Sequence, residues 1–236
     1  MATKTKKKAE SGNELLESSE ALADQLTKGE QFLEKNKRPV FIIGGAVAIV
    51  ILGYFGFNYY KTTQNEKAQT EIFQAQYYFE QDSLQKALMG DGNNLGFLDI
   101  IEDYPMSKAG NLAHFYTGTI YLKQGEYDNA IEHLEKFSSN DLLIQARTYS
   151  LIGDAMMEQG HYADAADQYM KAANHKPNEF TTPGYLTKAA LANEKLGDVQ
   201  AALKAYNEII DKYEESAEYH NALKQKAKLE AKQKSS

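Results

Sequence analysis

The sequence predicts an all-α chain in two unlike parts: a single N-terminal transmembrane helix, then a superhelix of antiparallel helix pairs. Three observations predict it. Residues 40–57, VFIIGGAVAIVILGYFGF, run for 18 positions without a charge or a strongly polar side chain. Beyond them, small and aromatic residues recur every 35 to 37 positions. Finally, IIEDYPMSKA (100–109) is similar to IIDKYEESAE (209–218), as though both close one helix pair and open the next.

Composition narrows the function. The chain has 236 residues, a length suited to one or two domains, and 42% hydrophobic residues can build a core. With no Cys, disulfides, Cys-ligated zinc, a thiol nucleophile and a lipid-bearing Cys are all excluded. A formal charge of −7 argues against non-specific nucleic-acid binding. That total hides a division. Residues 1–38 carry 8 Lys plus Arg against 7 Asp plus Glu, the span carries none, and 61–223 carry 13 against 25.

The segment 1–38 is expected to be cytoplasmic. Residues 1–12 have almost no apolar content and are expected to be disordered. Within 13–36, Leu15 and Leu22, and Leu26 and Leu33, are heptad-spaced among Glu14, Glu17, Glu20, Asp24, Glu30 and Glu34. This predicts a marginal amphipathic helix, interrupted by Gly29 and joined to the span at Pro39.

Residues 39–60 are expected to be the membrane anchor. An 18-residue helix is about 27 Å long, close to the hydrocarbon thickness of a bilayer. Lys35, Lys37 and Arg38 precede it, and Tyr59, Tyr60 and Lys61 follow, as at a membrane interface. A soluble core helix seldom lacks polar residues on every face. A cleaved signal peptide is disfavoured by the 39 residues ahead of the run and by its aromatic end, which offers no small-x-small site. The excess of Lys and Arg before the span puts the N-terminus in the cytoplasm and the C-terminal part outside, in a bacterium the periplasm. Gly44, Gly45, Ala48, Gly53 and Gly56 allow close packing of a second membrane helix, or only reflect how common Gly is in such helices.

Residues 61–223 read as repeats. GTIYLKQGEYDNA (118–130) and GDAMMEQGHYADA (153–165) align at a period of 35, sharing Gly118/Gly153, Gly125/Gly160, Tyr127/Tyr162 and Ala130/Ala165. ALANEKLGDVQAA (190–202) continues the series with Gly197 and Ala202. This is the tetratricopeptide repeat pattern. Gly125, Gly160 and Gly197 fall where a first helix must end, a place that favours left-handed backbone. Gly118, Gly153 and Ala190 fall where a larger side chain would hold the paired helices apart, opposite the small Ala130, Ala165 and Ala202. Tyr121, Tyr127, Tyr162, Tyr169 and Tyr206 fill the remaining spaces, with Ala172 beside them, and Pro177 follows a second helix. Units are expected at about 66–105, 111–142, 146–178 and 183–214. In the first, 66–89 would be a long first helix, 90–94 its turn and 95–104 its second helix. Residues 215–236 supply a capping helix, which shields the last apolar face, and a basic tail.

No G-x-S-x-G, H-E-x-x-H, G-x-x-x-x-G-K-[ST] or G-x-G-x-x-G occurs. The His residues (114, 133, 161, 175, 220) are scattered, and His114 replaces the usual aromatic of a first helix. Asp91 and Asn93 lack the spaced acidic ligands and closing Glu of a calcium loop. No enzyme, cofactor or small-molecule substrate is expected. Repeat arrays instead present a groove lined by first helices. The candidate positions are Leu112, Phe115, Thr119, Leu122 and Lys123; then Arg147, Ser150, Asp154, Met157 and Glu158; then Thr187, Leu191, Glu194 and Lys195. This mixture suits an amphipathic helix or extended peptide, and lacks the Lys and Asn concentration that would grip a terminal carboxylate.

The layout resembles one family. A cytoplasmic segment, QFLEKNKRP (31–39), a Gly-rich span ending in aromatics and an outer tetratricopeptide array look like the YfgM-type proteins, membrane-anchored ancillary subunits of the Sec translocon. The motifs lie in 31–60. The cytoplasmic segment here is longer and the outer repeats are nearer the general consensus than in that family. The resemblance implies an inner-membrane adaptor beside the translocon, with a membrane-anchored prolyl-isomerase-like chaperone, receiving emerging secretory chains. The alternative is a scaffold for another envelope machine, such as cell-wall synthesis or outer-membrane assembly.

Overall fold

The computed structural model describes residues 19–234. The chain divides into two compact units, Met1–Tyr60 and Lys61–Ser236, and among the described residues all regular structure is helical. The expected disorder of 1–12 and the heptad position Leu15 lie outside the described residues.

In the first unit, α1 (Ser19–Lys35) is followed by α2 (Lys37–Glu80), which contributes residues to both units. The helices meet at Asn36, not at Pro39. Asn36 donates its backbone N–H to the Phe32 carbonyl (3.0 Å) and accepts from the Val40 N–H (3.0 Å). Pro39 instead occupies the first turn of α2, where a missing N–H has no intrahelical partner to lose. Gly29 lies inside α1 without breaking it, and Leu26 and Leu33 stay exposed.

Among the described residues, α2 is the one helix long and apolar enough to cross a membrane, and the protein itself buries none of its apolar window. A core helix of that composition would be mostly covered. A Cβ added at Gly44, Gly45, Gly53 or Gly56 would meet nothing within 4 Å.

The second unit is built of helix pairs: α5 (Lys108–Gln124) with α6 (Tyr127–Lys136), α7 (Ile144–Glu158) with α8 (Tyr162–Asn174), and α9 (Thr182–Leu196) with α10 (Val199–Lys212). Gly125, Gly160 and Gly197 turn each pair at φ of 79°, 79° and 87°, the left-handed conformation that a Cβ disfavours. The helices within a pair approach closely at two glycines. A Cβ on Gly118 would lie 2.6 Å from Leu134 Cγ, and one on Gly153 would lie 2.7 Å from Tyr169 Cε1. Ala130, Ala165, Ala190 and Ala202 are fully buried in the same seams.

The first repeat departs from its expected outline. Its first helix is the later part of α2 and stops at Glu80, because Asp82 takes φ 54° and Ser83 donates its N–H back to the Tyr78 carbonyl (2.9 Å). Asp is among the few side chains that tolerate this region. A short α3 (Leu84–Met89) then intervenes before α4 (Phe97–Asp103). The loop between them is held by Asp91, which accepts from the N–H groups of Asn93 (2.9 Å) and Asn94 (2.7 Å) and from the Tyr78 hydroxyl (2.6 Å). Those bonds, Tyr78 first, hold its carboxyl far below the usual carboxylate range.

The likeness of 100–109 to 209–218 is geometric as well. Tyr104 and Tyr213 both end their helices at φ −130°, ψ 49°. Each is followed by the same bond, from Ser107 to Tyr104 (3.1 Å) and from Ser216 to Tyr213 (3.0 Å). The closing helix, α11 (Tyr219–Lys234), starts later than expected and takes most of the basic tail into its helix. It buries Ala222 and Leu229 in a cluster with Tyr206, Ile209 and Tyr213.

Candidate partner-binding cleft

A cleft of about 480 Å³ opens where three neighbouring pairs meet. α5 supplies Leu122; α7 supplies Asp154, Met157 and Glu158; α9 supplies Lys188 and Leu191. Tyr127 and Tyr169 close its sides from the second helices. Three aliphatic side chains from three successive first helices therefore face one space, beside the carboxylate of Glu158.

The floor is polar and internally satisfied. Lys188 Nζ reaches both Asp154 oxygens at 2.8 Å, lies 3.1 Å from Ser150 Oγ, and sits 5.5 Å from the Tyr169 ring centre. Tyr169 donates its hydroxyl to Asp154 Oδ1 at 2.7 Å. Burial first, and then that bond, raises the Tyr169 pKa and keeps the hydroxyl a donor. The ion pair is half in solvent, with side chains 42% and 32% exposed, so it contributes about 1 kcal/mol at most. Its structural effect is to pin α7 to α9, two first helices of neighbouring repeats.

The remaining expected groove positions do not all join this cleft. Phe115, Thr119 and Ser150 are 8%, 8% and 4% exposed, which corrects their assignment to a binding surface. Phe115 packs in the core with Leu134 and Phe137, and Thr119 donates to the Phe115 carbonyl at 2.7 Å. Phe115 and Thr119 share the first-helix face with the cleft but point inward, because the pair's inner face and the groove face abut on one helix, while Ser150 lies beneath the cleft floor against Lys188. Leu112 packs, partly buried, against the same core. Lys123 turns to the first repeat, pairing with Asp82 at 3.0 Å and covering the Phe79 ring. Thr187 donates to the Pro183 carbonyl, and Glu194 accepts the Tyr206 hydroxyl at 2.8 Å. Arg147 and Lys195 are exposed and stand outside the cleft lining.

Two features escaped the sequence reading. Lys188 is 34 positions after Asp154, so opposite charges one repeat apart on first helices were the available signal. The other is a histidine pair. His114 Nδ1 and His133 Nδ1 lie 3.1 Å apart across the α5–α6 seam, with the Tyr121 ring 5.6 Å from His133. Both rings are held below the usual imidazole pKa by burial first, with the second ring and Lys136 adding to it at His114; His114 falls to about 4. Among the described residues, no group of three or more His, Asp or Glu is placed to hold a metal ion.

Antiparallel helix pairs stacked with a common turn, a small-residue seam and a first-helix cleft define an α-solenoid. Residues 117–179 match a family model of the tetratricopeptide repeat, and residues 185–216 match a second. These two stretches of the second unit are thus similar to tetratricopeptide repeats, which generally act as non-catalytic scaffolds for protein–protein interaction. No match to a curated protein was found.

Proposed function

We propose that this protein is a non-enzymatic adaptor of the bacterial inner membrane, held by the span at 39–60 with its repeats on the periplasmic side. In this reading the cleft takes an amphipathic or extended segment of a partner protein. The observation that carries it is the convergence of Leu122, Met157 and Leu191 beside Glu158, an apolar strip over a floor where Asp154 is paired with Lys188. The anchor adds effective concentration for a partner in the same bilayer. The resemblance of residues 31–60 to the YfgM-type proteins favours the Sec translocon, its prolyl-isomerase-like chaperone and emerging secretory chains as that company.

The test is photo-crosslinking in native membranes from Met157 and from Leu191. Translocon subunits should be recovered from both positions, lost from Met157 when Leu122 and Leu191 are replaced by Asp, and lost from Leu191 when Leu122 and Met157 are. Crosslinks confined to cell-wall or outer-membrane assembly proteins would remove the translocon and leave the adaptor. Absence of any protein adduct from either position would remove the cleft.

A further inference from the structure

The cation on the floor of the cleft is already spent. Lys188 Nζ places its donors on both Asp154 oxygens (2.8 Å each) and on Ser150 Oγ (3.1 Å), and Tyr169 gives its hydroxyl to Asp154 Oδ1 (2.7 Å). An ammonium has three donors, so none is left for a ligand. Lys123, next to Leu122 of the lining, is turned into the first repeat and paired with Asp82 at 3.0 Å. Lys195 stands one turn beyond Leu191, outside the lining. The lining therefore holds no cation free to receive an acidic side chain.

Its carboxylates are in the opposite condition. Glu158 is exposed at the cleft, and among the described residues its side chain takes part in no hydrogen bond or ion pair. Asp128, beside Tyr127 of the lining, accepts from the neutral amide of Gln159 at 2.6 Å, and Gln159 follows Glu158 in the chain. Two carboxylates without a cation thus stand at the cleft formed around Leu122, Met157 and Leu191. The array around them is acidic as a whole, with 25 Asp plus Glu against 13 Lys plus Arg over 61–223.

In such a site the apolar contacts supply affinity, and unpaired charge beside them decides which segments are admitted. We propose that the cleft selects a cationic amphipathic segment of a partner protein, with apolar side chains on Leu122, Met157 and Leu191 and a Lys or Arg directed at Glu158. A neutral apolar segment leaves Glu158 unpaired. An acidic one brings like charges together with no lysine to relieve them. This rests on the cleft being the partner site and is independent of the membrane span. Because Glu158 is exposed, salt screens the preference, which is several-fold rather than orders of magnitude.

The test uses the full-length protein in phosphatidylcholine nanodiscs and a displayed library of random dodecapeptides, depleted first on empty nanodiscs. Leu191 is 44% exposed, so Leu191→Asp keeps the fold while interrupting the apolar strip, and its added charge would strengthen a purely electrostatic ligand. Peptides retained by the unaltered protein and lost with Leu191→Asp are the cleft ligands. Among them Lys plus Arg should be enriched over Asp plus Glu by about threefold or more. One such ligand, labelled and titrated by fluorescence anisotropy, should bind Glu158→Gln about fivefold more weakly. The same peptide with its Lys replaced by Gln should not distinguish the two proteins. Glu179→Gln, outside the lining, should bind like the unaltered protein. Cleft ligands without basic enrichment, or indifferent to Glu158→Gln, overturn the charge selection and leave the cleft as a partner site. Equal weakening by Glu179→Gln and Glu158→Gln traces the preference to the acidity of the whole array and overturns it too. Absence of any ligand that Leu191→Asp removes would overturn the cleft itself, and the selection with it.

Discussion

Gly153 and Gly160 lie seven positions apart and are required for unrelated reasons. At Gly153 the backbone is ordinary helix, but a Cβ would strike the Tyr169 ring at 2.7 Å. At Gly160 the surroundings are empty, but φ is 79°. Gly153→Ala should therefore destabilise by overpacking, about 1–3 kcal/mol. Gly160→Ala should lose about 1 kcal/mol through backbone strain, and Gly160→Asn should recover part of it because Asn tolerates that conformation. Urea unfolding of the detergent-solubilised protein measures all three. The histidine pair gives a pH test at the same scale. Its rings are neutral when folded, while an unfolded imidazole takes a proton below about 6.5. Stability should thus be complete above that pH and fall as pH drops toward 4, the value to which His114 is lowered. Lys136 works with this loss and Glu132 against it. Thermal midpoints measured from pH 7.5 to 4.5 should decline, and His114→Gln should flatten the decline.

At the scale of the helix, two start signals that look alike in sequence differ in strength. Ser107 Oγ accepts from the Gly110 N–H at 2.8 Å and donates to the Tyr104 carbonyl at 2.8 Å. Ser216 occupies the matching position, yet its Oγ is buried without a partner. Ser107→Ala should cost about 1 kcal/mol, and Ser216→Ala should be close to neutral, a contrast that equilibrium unfolding resolves. Helix identities were legible for a local reason. Gly125, Gly160 and Gly197 act within a turn, and Gly118 and Gly153 mark contacts repeated at one spacing, so period and residue type carry the information. The end of α2 was not legible, since Asp82 in a left-handed conformation has no compositional mark distinguishing it from any other Asp. The cleft was half legible. A repeat count puts Phe115 and Leu122 on the same helix as groove candidates, but which of them turns inward depends on how the next pair stacks. The His114–His133 contact depends on the same stacking within a pair, and 19 positions of sequence separate its members.

For the whole molecule, each repeat covers only its neighbours, so the ends carry a particular burden. α11 covers Tyr206, Ile209 and Tyr213. Deleting 219–236 should lower the thermal midpoint and strip amide-exchange protection from α9 and α10 before α5 and α6; uniform loss of protection would indicate one cooperative block instead. The pin between Asp154 and Lys188 joins the middle of the array, so its removal should leave protection at both ends unchanged. The shared ending at Tyr104 and Tyr213 has a further consequence. The chain leaves its third helix pair with the same backbone angles, and the same serine bond, with which it entered the first. Everything between those two tyrosines is thus a cassette with interchangeable ends. A copy of residues 105–213 inserted after Tyr213 should continue the solenoid in register, and a chain lacking that stretch should bring α11 directly onto α4. The length of this array is therefore a free parameter of its sequence, adjustable by whole cassettes without designing a new joint.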